Sequence, residues 1–172
     1  VGTLLKGHGV TIFQGDARFE APNRLRVKLT DGGETILAAP AIVIATGSRP
    51  IELDGFPYDS DHVASSTGAL SMTKIPKRMV VIGGGYIGLE LGGVYARLGS
   101  KVTVIEMADQ LLPGFPKDLV QPVAKQLRKH GAEILLQSKA TGFKRSRGVS
   151  KVAVEGPKGK ASEITTDVIL VT

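Results

Sequence analysis

The sequence predicts an α/β fold with a parallel sheet and a β-meander, preceded by a β-rich piece. Three observations carry this. The runs Met79-Val-Val-Ile82 and Val168-Ile-Leu-Val171 are uninterrupted and apolar, as strands covered on both faces are. Residues 78 to 137 alternate strand-like and helix-like texture. Residues 10 to 47 show period-two alternation and turn signals instead of helical spacing.

In chain order, Val10-Thr-Ile-Phe13 reads as a short strand. Leu25, Val27 and Leu29 alternate with Arg24, Arg26 and Lys28, which predicts a half-buried strand. Asp31-Gly32-Gly33 is a turn leading into Thr35-Ile-Leu-Ala38. Ala41-Ile-Val-Ile-Ala45 then reads as a strand buried on both faces, running into Thr46-Gly47-Ser48. Residues 51 to 76, rich in Pro, Asp and Ser, read as a connection, with a domain boundary near 50. A strand at Met79–Ile82 precedes a helix from Ile87 to Leu98, with Leu91, Tyr95 and Leu98 near one face and Gly99 after it. Lys101 to Glu106 is the next strand. The following helix runs from about Asp118 to His130, with Leu119, Val123 and Leu127 as its apolar row and Gly131 as its stop. Glu133 to Gln137 is a third strand, and residues 141 to 172 suggest a meander in which Val152 and Val154 share a face.

Composition narrows function before any motif is considered. The 172 residues contain no cysteine, which excludes disulfides, Cys-ligated metal and thiol chemistry within this chain. Aromatics at 5% and no Trp argue against a base-stacking platform for nucleic acid. Mean hydropathy is +0.09, and the longest charge-free apolar stretches are too short to cross a bilayer, so no membrane partner is expected. The net charge of +6 sits entirely in residues 139 to 160: Lys139, Lys144, Arg145, Arg147, Lys151, Lys158 and Lys160 against Glu155. That stretch is either an anion-binding patch or a solvated hairpin; its Gly and Ser content favours the hairpin. His8, His62 and His130 have no metal-ligand spacing, so no metal site is expected, nor any catalytic residue in this span. The Leu111-Leu112-Pro113 step reads as packing and turn. The chain starts without Met and stops on an apolar run, which leads us to expect an internal fragment.

The chemical signal is Val80-Val-Ile-Gly83-Gly84-Gly85-Tyr86-Ile87-Gly88-Leu-Glu90-Leu-Gly92. A G-x-G-x-x-G pattern is weak in a chain with 22 glycines, but here it follows an apolar strand and opens a helix. Gly83 permits the tight turn, Gly85 lets a pyrophosphate approach bare backbone, and Gly88 lets helix and strand pack closely. The helix N-terminus offers unpaired N–H groups to the phosphates. Glu106 follows 18 residues after Gly88 at the next strand's end, where a carboxylate can accept both hydroxyls of an adenine ribose. It would repel a 2′-phosphate, which favours NAD over NADP. Glu90 has two readings: a carboxylate aimed along the cofactor toward the nicotinamide, or a surface position on the helix.

These residues, together with Ile42-Val-Ile-Ala-Thr46-Gly47-Ser48-Arg-Pro50, Ser66-Thr-Gly-Ala-Leu70 and Val104-Ile-Glu106, resemble the dihydrolipoamide dehydrogenases, flavin-dependent pyridine nucleotide–disulfide oxidoreductases. The resemblance covers essentially the whole chain. It implies that residues 1–50 are the C-terminal part of an FAD-binding domain, with a meander and an Ala-Thr-Gly strand. It further implies that 51–76 are a connection and that 77–172 are a truncated Rossmann-like NAD-binding domain. It implies FAD contacts at Thr46, Gly47, Ser48 and Ala17. NAD contacts are implied at Gly83, Gly84, Gly85, Ile87, Gly88, Glu106, Glu90 and, through backbone near the adenine, Ala140. Tyr86 would lie over the flavin face or be a plain first-turn residue.

In such an enzyme electrons pass from dihydrolipoamide through a disulfide and FAD to NAD⁺. The family's cysteine pair, first dinucleotide motif and C-terminal base lie outside this span. The resemblance therefore implies an enzyme at full length and a fragment inactive by itself. The implied whole protein is a homodimer serving a lipoyl-bearing protein of a 2-oxoacid dehydrogenase complex, in the cytoplasm or the mitochondrial matrix. Two alternatives stand beside it: a non-catalytic dinucleotide-binding module, and another flavin disulfide reductase or NADH peroxidase-type enzyme.

Overall fold

The computed structural model describes residues 1–59, 61–146 and 148–172. Ser60 of the expected connection and Arg147 of the basic stretch lie outside the described residues. The chain divides into two compact units, Val1–Ser48 and Arg49–Thr172.

In the first unit a short helix α1 (Gly2–Gly7), not expected from the sequence, precedes an antiparallel sheet of β1 (Gly15–Ala21), β2 (Arg24–Leu29) and β3 (Glu34–Ala38) in that order. The alternation of β2 is realised: Leu25, Val27 and Leu29 share one face, with Val27 buried, while Arg24, Arg26 and Lys28 are exposed on the other. Two expectations are corrected. Val10–Phe13 is irregular, and the strand lies after it, in Gly15–Ala21, because those residues find a pairing register against β2. Ala41–Ala45 is not a strand either; Val43 and Ile44 are exposed at 88% and 69%. A run of this kind becomes a strand only when its backbone groups find neighbours, and none of the three strands of this unit pairs with it.

The second unit is layered. A five-stranded parallel sheet has the order β4 (Val63–Ala64), β11 (Val168–Val171), β5 (Arg78–Ile82), β6 (Lys101–Ile105), β7 (Glu133–Leu135). One face carries Met79, Val81, Val102, Val104 and Leu170 against the helices α2 (Ser66–Leu70), α3 (Tyr86–Arg97) and α4 (Lys117–Lys129). The other carries Val80, Ile105, Ile169 and Val171 against an antiparallel meander of β8 (Lys139–Ser146), β9 (Val149–Glu155) and β10 (Ala161–Thr166). Val152 and Val154 face inward together. Phe56 and Phe143 stack there with ring centroids 5.6 Å apart.

Three sequence expectations are adjusted in this unit. The stretch expected to be a bare connection contains β4 and α2, because Ser65 caps α2 by accepting the Gly68 N–H at 3.2 Å. The buried stripe of α3 is Gly88, Leu89, Gly92, Tyr95 and Ala96, whereas Leu98 lies past the helix end and is 53% exposed. On α4 the inward positions are Val120, Val123, Ala124 and Leu127, and Leu119 is exposed. The row is offset by one residue from a strict four-residue spacing because 3.6 residues complete a turn. Lys139, Lys144, Arg145 and Lys151 of the basic stretch are exposed on the β8–β9 hairpin, where Arg145 reaches Asp59 at 3.4 Å and Lys151 reaches Glu163 at 3.8 Å.

Candidate dinucleotide-binding site

At the C-terminal end of β5 the chain turns at Gly83, whose φ of +111° only glycine adopts freely. Its N–H donates to the Ile105 carbonyl at 2.9 Å, which ties the turn to the end of β6. A Cβ on Gly83 would overlap the Thr172 carbonyl, and one on Gly88 would overlap the Gly83 carbonyl and approach Thr172 Oγ1 within 2.6 Å. These two glycines are therefore required by close backbone packing. Gly84 is buried: a Cβ there would lie 2.8 Å from the Leu111 side chain and 3.0 Å from Glu106 Oε2.

Gly85 differs from all three. It is the N-cap of α3, with φ −76° and ψ 176°, and a Cβ there meets nothing within 4 Å. No side chain caps this helix end. The first-turn N–H groups of Tyr86, Ile87 and Gly88 precede the first intrahelical bond, made by Leu89 to Gly85 at 3.0 Å. The corner presents donors and open space, the arrangement that takes an anion at a helix start.

Glu106 follows β6 and turns its carboxylate toward the glycine turn. Oε2 accepts the Gly84 N–H and Oε1 accepts the Ala108 N–H, each at 2.7 Å. A carboxylate has about four acceptor positions, so each oxygen keeps capacity for a further donor. Sequence spacing placed an acid here but did not show this second duty, bracing the glycine turn. Glu106 is itself framed by backbone bonds at 2.9 Å, its N–H to Leu135 and its carbonyl from Ser138. Ala140, two residues beyond Ser138, is a buried residue of β8 paired with Val154.

The structure thus brings Gly83, Gly84, Gly85, Tyr86, Ile87, Gly88 and Glu106 to one corner. Glu90 is exposed one turn along α3 and, with Tyr86, lines the cleft of about 780 Å³ between α3 and α4. Tyr86 is 67% exposed. Ala17 lies in β1 opposite Val27, and Thr46, Gly47 and Ser48 lie in irregular backbone of the first unit. The sequence reading missed the loop after Glu106, where the Leu112 N–H donates to the Gly84 carbonyl at 2.8 Å. Apolar residues beside a proline gave no signal of that role. Among the described residues no group of three or more His, Asp and Glu could hold a metal ion, and no helix is long and apolar enough to cross a membrane.

The chain is similar to several known proteins. The chain is 44% identical over 169 residues to a dihydrolipoyl dehydrogenase of Geobacillus stearothermophilus, covering 98% of this chain and 35% of that protein. It is 39% identical over 170 residues to the mitochondrial dihydrolipoyl dehydrogenase 1 of Arabidopsis thaliana, covering 98% and 34%. The chain therefore spans about a third of the length of these relatives. Among solved structures it is similar to the HOCl-induced flavoprotein disulfide reductase RclA of Escherichia coli, a Cu(II) complex of a mutant, with TM-score 0.81, 26% identity and coverage of 99% and 37%. The fold is shared with LpdA of Mycobacterium tuberculosis at TM-score 0.83, 22% identity and coverage of 99% and 38%. The model of the pyridine nucleotide-disulphide oxidoreductases matches residues 1–172. The chain belongs to that family.

Proposed function

We propose that this chain is the nucleotide-holding segment of a dihydrolipoamide dehydrogenase, with residues 77–172 binding NAD and residues 1–50 closing an FAD-binding domain across the connection 51–76. The observation that carries the NAD reading is the open backbone corner at Gly85 beside a fixed carboxylate at Glu106. A diphosphate fits there because its oxygens would meet the free N–H groups of the α3 start with no side chain between. The adenine ribose fits beside it, its hydroxyls donating to the remaining lone pairs of Glu106. Ala140 would pass its backbone along the adenine.

Glu90 and Tyr86, one turn apart on α3, extend along the cofactor toward its nicotinamide end. In the first unit Thr46, Gly47, Ser48 and Ala17 would contribute FAD contacts. Bound NAD supplies a hydride acceptor and bound FAD an electron relay, while the chain binds and orients them. In the full-length protein the electrons would come from dihydrolipoamide on a lipoyl-bearing protein of a 2-oxoacid dehydrogenase complex, and a homodimer would be the working form. The likeness to RclA favours a second reading, in which the same segment serves another flavin disulfide reductase.

Calorimetric titration with NADH and NADPH tests the assignment. NADH should bind at least tenfold more tightly, because the Glu106 carboxylate repels a 2′-phosphate. Equal affinities would remove the role given to Glu106. The chain alone should show no dihydrolipoamide oxidation, since it contains no cysteine; turnover would refute the division of labour.

A further inference from the structure

Leu112 is one of three non-glycine residues with left-handed backbone among the described residues, with φ +49°. A second, Gln137 at φ +49°, also serves this corner: its N–H holds the Ala108 carbonyl at 2.9 Å, and Ala108 in turn bonds Glu106. Strained backbone at two positions around one turn needs a compensating purpose.

For Leu112 the geometry supplies one. Its N–H donates to the Gly84 carbonyl at 2.8 Å. None of the described peptide bonds is cis, and across a trans peptide the C=O and the following N–H point in opposite directions. Pinning the Gly84 carbonyl toward Leu112 therefore aims the Gly85 N–H the other way. The preceding N–H, of Gly84, is already spent on Glu106 Oε2. Both ends of Gly84 are thus held, by the acid on one side and by the loop on the other. The loop is anchored in turn: Leu111 is buried at 2% exposure, and Gln110 Nε2 donates to the Phe115 carbonyl at 2.9 Å.

From this we propose that Leu112 is a positioning residue for the diphosphate of the cofactor. Its backbone N–H presets the Gly84–Gly85 peptide so that the Gly85 N–H is presented before the nucleotide arrives. The proposal rests on the dinucleotide reading above and adds a residue that makes no contact with the cofactor. Preset donors bind an anion more tightly because no reorganisation accompanies binding. The prediction separates phosphate from nucleoside: adenosine, which would use Glu106 and the backbone near Ala140, gains nothing from the Gly85 N–H.

The test replaces the Leu112 amide by an ester, using the α-hydroxy analogue of leucine, which deletes the N–H and keeps the side chain. NADH, ADP-ribose and adenosine are titrated into the native and ester chains. We expect NADH and ADP-ribose to bind about tenfold more weakly to the ester chain, with adenosine changed less than twofold. If the ester chain binds NADH as the native chain does, or loses adenosine in equal measure, the positioning role is overturned while the dinucleotide reading stands. A native chain that binds neither NADH nor ADP-ribose overturns both.

Discussion

Two apolar runs of nearly the same texture have opposite fates in this molecule. Val168-Ile-Leu-Val171 is fully buried between β4 and β5. Ala41-Ile-Val-Ile-Ala45 is irregular, with Val43 and Ile44 turned to solvent. The difference is not propensity, since both are rich in β-branched residues. It is partnership: β11 has a parallel strand on each side and a packed layer beyond each face, and the earlier run has neither. Parallel strands depend wholly on distant neighbours, whereas the hairpins of β1, β2 and β3 bring their partners along the chain.

The sharpest way to break this comparison is to cut the same side chain in both runs. Ile169→Ala removes a fully buried side chain and should destabilise the second unit by about 4 kcal/mol. Ile44→Ala should cost less than about 0.5 kcal/mol. Denaturant unfolding measures both, and a comparable loss at Ile44 would mean that the exposed run is packed after all.

The next contrast lies within the glycine turn. Gly88→Ala forces a Cβ against the Gly83 carbonyl and Thr172 Oγ1, both at the end of the parallel sheet. Backbone cannot give way as a flexible side chain can, so the cost is about 3 kcal/mol, with loss of NADH binding as the turn is displaced. A variant with unchanged melting would show that the corner is looser than these distances describe.

A smaller effect comes from Asp167, between β10 and β11, which receives the Arg78 N–H at 2.8 Å and Arg78 Nη2 at 2.6 Å. The Arg78 hydrogen bonds hold its carboxyl below the ordinary value of 3.8. A depressed folded value means that the contribution is complete above the unfolded value and is lost as pH falls through the folded one. Asp167→Asn should cost about 1.5 kcal/mol near neutrality, allowing for the partial exposure of both groups. The variant should also lose part of the acid sensitivity that the native chain shows below the ordinary carboxyl value. Parallel stability–pH curves for variant and native chain would exclude the linkage.

These contrasts also explain what could be read from residues alone. Met79–Ile82, the glycine spacing and Glu106 were readable because each depends on local pattern: apolar continuity, a strand–turn–helix sequence, an acid at a strand tip. Leu98 was misplaced because the helix ends before it, and Leu119 because one residue is about 100° of helical turn, enough to carry a side chain off the inward face. Ser65–Gly68 passed for loop because a capping serine and a loop serine look the same without the helix they begin. Leu112 was invisible for a deeper reason. What matters there is its backbone N–H, which every residue but proline carries, and the left-handed turn that aims it.

The smaller of the two glycine effects on stability carries the most functional information. Gly85→Ala adds a Cβ where nothing lies within 4 Å, at a φ of −76° that alanine adopts freely. Stability should fall by only about 0.5 kcal/mol, the difference between glycine and alanine at a helix N-cap. NADH affinity should fall more than tenfold, because the methyl group would stand where the diphosphate meets the backbone. Gly88 and Gly85 would then differ in the same way as Ile169 and Ile44. One position is filled by the protein's own atoms and answers in stability; the other is left open and answers in binding. An alanine at 85 that leaves NADH affinity intact would mean that the open corner serves something other than a dinucleotide.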